Sequence, residues 1–297
     1  MAAANNFPIK LTPIQASTYT SMSKPSSVDI SLEEDVHLHP WSSVTSVGIA
    51  YTNGSKRFAP MENAHVSIDN LDGSLRTGFF GIFDGRNGFK CSQMLTRYIP
   101  EAYVRSRKVH DSEDLRWSTA FKEVDGKICK SIDLVDSGAS AACMVIQNIK
   151  DRRVISCANV GNVGIMAIQD GKPIKLTETH DINHGRDAYH VRMSGGSFAG
   201  GKVNGYLEIT RCFGESILKE KILTAEPYCR TLDIAPATSH IILATKGLWK
   251  MLSDSEIADI VTKADKDVKL AAKNLISASY GCGDNLTIMV IDVRNKF

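Results

Sequence analysis

Two Asp-Gly dipeptides, Asp72-Gly73 and Asp170-Gly171, each stand between runs of β-forming residues, and this pattern constrains the fold more than any other. Asp-Gly supplies the positive φ angles of a tight hairpin, so each predicts two antiparallel strands rather than a parallel βαβ unit. The first lies in AHVSIDNLDGSLRTGFFGIFDG and predicts strands paired through the turn and ending at Asp84. The second joins VGIMAIQ to KPIKLT, and further β runs are SSVTSVGIAYT, GASAACMVIQNIKDRRVISCANVG, residues 240–245 and NLTIMVIDV.

Helical spacing, with apolar residues three and four apart, runs through KCSQMLTRYIPEAYVRSR, where Pro100 is expected to break the helix, and through SEDLRWSTAFKEVDGKICKSI. A polar, Gly-rich segment from His180 to Gly201 predicts a short helix and a loop. Ser253 and Glu256 form a capping box at the head of one late helix, and another spans Val268 to Ser279. Antiparallel strands interrupted by two helical blocks define the α+β class: an antiparallel β-sandwich flanked by helices on both faces. Residues 1–40 are rich in Ser, Thr and Pro without a sustained period and read as a disordered leader, in which Ser26, Ser27 and Ser31 are solvated chain more than phosphorylation sites. Residues 41–297 read as one domain.

A net charge of +2, with 23% charged residues, lacks the basic excess of a phosphate-backbone binder, which argues against nucleic acid. Seven scattered cysteines without a C-x-x-C pair suit small buried side chains in a reducing compartment. No apolar run reaches the roughly 20 residues of a membrane span, and no signal-peptide core opens the chain. These features predict a cytoplasmic protein, with the nucleus also open, and no membrane partner.

Four motifs sit at strand ends: PMENAH (60–65), FFGIFDGRNG (79–88), CANVGNVG (157–164) and YGCGDNLT (280–287). Singly each is an ordinary turn. In this order, with SGASA, VNG, TRCFGE and ILATKGLWKMLSDSEI between them, the chain from about Ser46 onward resembles the metal-dependent type 2C Ser/Thr protein phosphatases. The resemblance implies carboxylates at one sandwich edge holding two divalent ions, Mg or Mn, for two-metal hydrolysis of phosphoserine or phosphothreonine. On that pattern Glu62, Asp84 with Gly85, and Asp284 are the surviving ligands.

The departures are as informative. Asn63, Asn162 and Lys246 stand where the family has aspartates, and Arg86 stands in place of the general-acid histidine, a role that arginine cannot fill near neutral pH. Arg57 lies one residue farther from Met61 than the phosphate-binding arginine of the pattern; with Arg86 and Lys246 it is a candidate phosphate contact. An ammonium about 4 Å from a divalent ion repels it by roughly 8 kcal/mol at an effective dielectric near 20. The expectation is that Lys246 fills a vacated metal position and pairs with Asp84 and Asp284, rather than snorkelling to solvent. Trp249 reads as a core anchor, Cys282 as a turn residue, and His65, His180 and His184 as structural.

The first expectation is therefore a pseudophosphatase: no competent catalytic residue, no cofactor, and a protein partner. By resemblance to the pseudophosphatase that binds TGF-β-activated kinase, that partner is a protein kinase, a MAP kinase kinase kinase. The alternative is a divergent active enzyme using Mg or Mn. GASA, VNG, LAAKNL and SYGCGDN are similar to the phosphatase domains of leucine-rich-repeat phosphatases and fungal adenylyl cyclases, and the former carry a lysine near the same turn yet are active. A third reading is a phosphopeptide binder holding its ligand on Arg86, Lys246 and Lys250 without hydrolysis.

Overall fold

The computed structural model describes residues 30–32, 40–54, 60–73, 76–149, 152–219 and 222–294. In chain order the elements are β1 (Ser31–Leu32), β2 (Ser46–Thr52), β3 (Ala64–Ile68), β4 (Thr77–Arg86), α1 (Lys90–Arg107), α2 (Glu113–Ile128), β5 (Gly138–Ile149), β6 (Arg152–Val160), β7 (Gly164–Gln169), β8 (Lys172–Lys175) and α3 (Gly185–Met193). They continue with β9 (Phe198–Ala199), β10 (Lys202–Val203), β11 (Phe213–Gly214), α4 (Ser216–Lys219), β12 (Tyr228–Asp233), β13 (Thr238–Ala244), α5 (Lys246–Met251), α6 (Asp254–Ala264), α7 (Val268–Ser279) and β14 (Leu286–Asp292).

Antiparallel pairing builds two six-stranded sheets, β1-β2-β14-β13-β7-β8 and β12-β6-β5-β4-β3 with β11 added to β5, plus the separate β9–β10 hairpin. The side-chain period of two explains how they stack. On β4, Phe80 and Ile82 face Ile241, Leu243, Met289 and Ile291 of the other sheet, while Phe79 and Phe83 face Leu95 and Ile99 of α1 and Trp117 and Phe121 of α2. On β13 and β14, the alternate residues Ile242, Ala244, Ile288 and Val290 face Ile257 and Val261 of α6 and Leu275 and Ile276 of α7. Strands buried on both faces read as continuous apolar runs, and burying each large side chain contributes roughly 1.5–3 kcal/mol. The result is the expected α+β sandwich with a helical layer on each side.

Three local expectations change. Asp170 (φ 50) and Gly171 (φ 71) make the predicted two-residue turn, Gln169 pairing with Lys172. Asp72 (φ 62) and Gly73 (φ 80) have the same left-handed backbone, yet Ile68 pairs with Phe79, so the turn sits within a longer connection between β3 and β4 instead of closing a two-residue hairpin. The cause is Asp69: its carboxylate accepts from the N–H and hydroxyl groups of Ser42 (2.6 and 2.8 Å) and Ser43 (3.1 and 2.7 Å) and draws the loop to the segment before β2. Pro100 does not break α1; the buried face of Leu95, Ile99, Ala102 and Tyr103 outweighs the roughly 3 kcal/mol that an interior proline costs. Within the expected leader, Ser31 and Leu32 pair with Tyr51 and Ala50 of β2, and Ile30 packs on the α6–α7 core; Ser26 and Ser27 lie outside the described residues. Among those residues no helix is long and apolar enough to cross a membrane.

Candidate active site

Antiparallel register gathers the predicted residues at one rim of the sandwich. Ala64 pairs with Phe83, so Glu62, before β3, lies beside Asp84, Gly85 and Arg86 at the end of β4. Ala244 pairs with Ile288, so Lys246, the first residue of α5, lies beside Asp284, before β14. Asn285 ties the two sheets together here, its Oδ1 accepting from the Glu62 N–H at 2.9 Å. Glu62 is fixed further: its Oε1 accepts from the Gly88 N–H at 2.6 Å and its carbonyl from the Ser92 hydroxyl. A Cβ at position 85 would lie 2.2 Å from that carbonyl oxygen, so only glycine lets β4 approach so closely. Arg57 lies outside the described residues.

Buried Thr245 sets Lys246 in place, donating from its N–H to the Thr287 carbonyl and accepting from the Thr287 N–H at its Oγ1, both at 3.1 Å. Gly247 lets α5 sit against Leu286 and Cys282, which a Cβ would meet at 2.5 and 2.8 Å. Asn162 is half-buried in the β6–β7 turn, where Gly161 abuts Ser140, the residue opposite Asp84 on β5. Asn63 is buried, donating from Nδ2 to Thr287 Oγ1 at 3.2 Å, while its Oδ1 has no partner among the described residues. Trp249 packs over Gly164 and donates to the Ala244 carbonyl, the anchor expected.

Asp84 is the electrostatic centre. No hydrogen bond reaches its carboxyl from the described residues, and desolvation, helped by the repulsion of Asp284, raises its pKa to about 7 against the pull of Lys246 and Arg86. Lys246 Nζ lies 3.1 Å from Glu208 Oε2 and 3.4 Å from Asp284 Oδ2. Burial by itself would depress the ammonium, but the Glu208 hydrogen bond and the charges of Asp284, Glu208 and Asp84 lift its pKa above the ordinary lysine value. The expected pairing thus holds for Asp284 and not for Asp84, which forms no ion pair within 4 Å among the described residues; Glu208 takes its place. Arg86 Nε pairs with Glu215 Oε1 at 3.0 Å, and the Glu215 side chain is only 4% exposed, so a buried carboxylate holds the guanidinium.

Sequence reasoning did not assign roles to Glu208, Glu215 or Asn285. TRCFGE contains Glu215 and YGCGDNLT contains Asn285, but nothing local says what either faces.

The donor set suits a hard divalent cation. Asp84 and the Asn63 Oδ1 are oxygen acceptors without donors among the described residues, and Asp284 adds a second carboxylate. Among the described residues no three His, Cys, Asp or Glu side chains cluster tightly enough to enclose an ion. Mg is commonly held by one or two carboxylates with waters completing the octahedron, so such a sparse set fits it.

Solved structures share this architecture. A serine-threonine phosphatase 2C from Toxoplasma gondii superposes with a TM-score of 0.73 at 19% identity, over 89% of this chain and 98% of that one. A C. elegans sex-determining protein superposes with a TM-score of 0.75 at 22% identity, over 86% of this chain and 66% of that one. The family model for protein phosphatase 2C matches residues 47–286, and the chain belongs to that family. It is 26% identical over 269 residues to protein phosphatase 2C homolog 1 of Saccharomyces cerevisiae, covering 85% of this chain and 95% of the relative. It is 30% identical over 250 residues to protein phosphatase 2C homolog 1 of Schizosaccharomyces pombe, covering 80% of this chain and 70% of the relative.

Two expectations are overturned. The chain was expected to be a non-enzyme, yet its family is one of phosphatases and its relatives carry that name. It was expected to need no cofactor, yet the family depends on Mg or Mn. The charge of Lys246 is shared between Glu208 and Asp284, so it does not act on Asp84 alone.

Proposed function

We propose that this chain is a divergent, active metal-dependent protein phosphatase that hydrolyses phosphoserine or phosphothreonine in proteins. The observation that carries the reading is Asp84, a carboxyl at the end of β4 with no donor among the described residues, set beside Asp284 and raised in pKa to about 7. A carboxylate left so uncompensated is destabilised until a cation neutralises it. Asp84, the Gly85 carbonyl and Glu62 would hold Mg or Mn, with Asp284 shared between the ion and Lys246. When bound, the ion supplies Lewis-acid stabilisation of the charge on the transferring phosphoryl group.

The chain's own cations do the rest. Arg86, oriented by Glu215, offers N–H donors to phosphoryl oxygens, and Lys246 adds positive charge at the same rim. Arg86 cannot protonate the leaving oxygen, so that proton comes from water, and aryl phosphates with good leaving groups are expected to turn over faster than phosphothreonine.

The test is release of phosphate from a phosphothreonine peptide by purified protein in millimolar Mn, with Asp84→Ala as control. Turnover that disappears in the variant supports the reading. Its absence from both proteins overturns it.

A further inference from the structure

Glu208 and Glu215 come from one segment, yet they hold their cations differently. Glu215, 4% exposed, is built into the sandwich against Arg86. Glu208, 57% exposed, sits between buried Leu207 and Ile209, which root it in the small apolar cluster of Val191, Val203, Leu207, Ile209, Cys212 and Leu223. That alternation turns the Glu208 side chain outward, over the rim. The same loop is held down by Tyr206, whose hydroxyl accepts from Asn87 Nδ2 at 2.7 Å, next to Arg86.

One lysine contacts the Glu208 carboxylate and two more stand around it. Lys246 contacts it at 3.1 Å. Lys250, exposed and four residues on, follows Lys246 along α5, and Val203 of β10 bridges Leu207 in antiparallel register, which sets Lys202 opposite Glu208. All three hold the Glu208 carboxyl below its ordinary range, Lys246 most through its hydrogen bond. A carboxylate this exposed contributes little to stability and exchanges readily for another anion.

We propose that Lys202, Lys246 and Lys250 form an anion subsite beside the reacting rim, that Glu208 occupies it as a resident stand-in, and that an anionic group flanking the phosphorylated residue of the substrate displaces it. The proposal deepens the phosphatase reading by naming the substrate class: phosphopeptides with a neighbouring carboxylate or second phosphate. Lys246 stays paired with Asp284 through the exchange, so the rim is not left with an uncompensated charge.

The experiment is fluorescence anisotropy in EDTA, where nothing is hydrolysed, with three phosphothreonine peptides: one with neutral flanks, one with Asp flanks and one with a second phosphothreonine. Glu208→Gln is expected to tighten the two doubly anionic peptides by about fivefold and to leave the neutral one unchanged, with the gain shrinking in 0.5 M salt. Lys250→Ala, on an exposed helix face, is expected to remove the preference in the otherwise native chain and carries the test should Glu208→Gln fail to fold. Tightening confined to one anionic peptide identifies the flanking group as carboxylate or phosphate. Equal tightening of all three peptides, or no preference in any protein, overturns the subsite. Preference without turnover fails only the phosphatase reading, and turnover without preference fails only the subsite.

Discussion

The two ends of the sandwich treat their carboxylates in opposite ways. At the end away from the site, buried Asp292 closes β14 and is met by Arg294, which donates from its backbone N–H (2.8 Å), Nε (3.1 Å) and Nη2 (2.8 Å), while the same guanidinium reaches Asp265. His240 is similarly occupied, Nε2 lying 2.8 Å from the Asp265 carbonyl and Nδ1 3.1 Å from Ser239 Oγ. At the site end, among the described residues, Asp84 has no donor and neither ring nitrogen of buried His180 has a partner. Polar groups completed by fixed donors hold a fold together; groups left incomplete are where a ligand adds most.

The largest effect is expected at Asp84. Asp84→Ala should lower Mn-dependent phosphate release at least about 100-fold and abolish Mn binding in calorimetry, with no loss of melting temperature. A variant that keeps its Mn affinity would place the metal elsewhere.

Arg294→Leu is the reciprocal change. It strands a buried carboxylate whose side chain is only 3% exposed, and should cost about 2 kcal/mol in urea unfolding while Mn affinity stays at the wild-type value. An undiminished midpoint would show that the far end is not held by this pair.

The histidines sharpen the contrast through pH. Burial, then the charge of Arg211, lowers the His180 pKa to about 3, below its ordinary 6.5. Above pH 6.5 the ring is neutral in both folded and unfolded chains; as pH falls from 6.5 toward 3 the unfolded chain takes up a proton that the folded one refuses. Stability is therefore lost in that window, by about 2 kcal/mol at pH 5, and His180→Phe should flatten the slope.

The smallest effect belongs to Lys246. Lys246→Ala removes a cation 3.4 Å from Asp284 and should tighten Mn binding by about tenfold, a modest gain because the ammonium is 31% exposed and partly neutralised by Glu208. Weaker binding in this variant would mean that the lysine supports the site instead of competing for it.

Much of the fold was legible. Helix α7 spans Val268–Ser279 as its apolar period predicts, and Ser253 and Glu256 close the capping box at α6. The Asp170-Gly171 turn forms as written because its register needs only neighbours. Strand β12 was missed: its YCRTLD sequence, half-exposed at a sheet edge, carries too few apolar residues for a period of two to stand out. Pro100 misled because propensity is local and the buried face of α1 is not.

The alternating apolar strands and the helix periods and caps are written in the chain, and the order of its turn motifs, through the family resemblance, marks Asp84, Asp284, Arg86 and Lys246. The strand and helix patterns arise from contacts between residues two to four apart, so a single chain displays them. What each charge faces is set by packing between distant segments. Lys246 meets Glu208 across 38 positions and Glu62 meets Asn285 across 223, pairings that exist because two sheets stack and a small module folds over their rim. Whether a lysine blocks a metal site or stands beside it depends on a partner that no local pattern encodes.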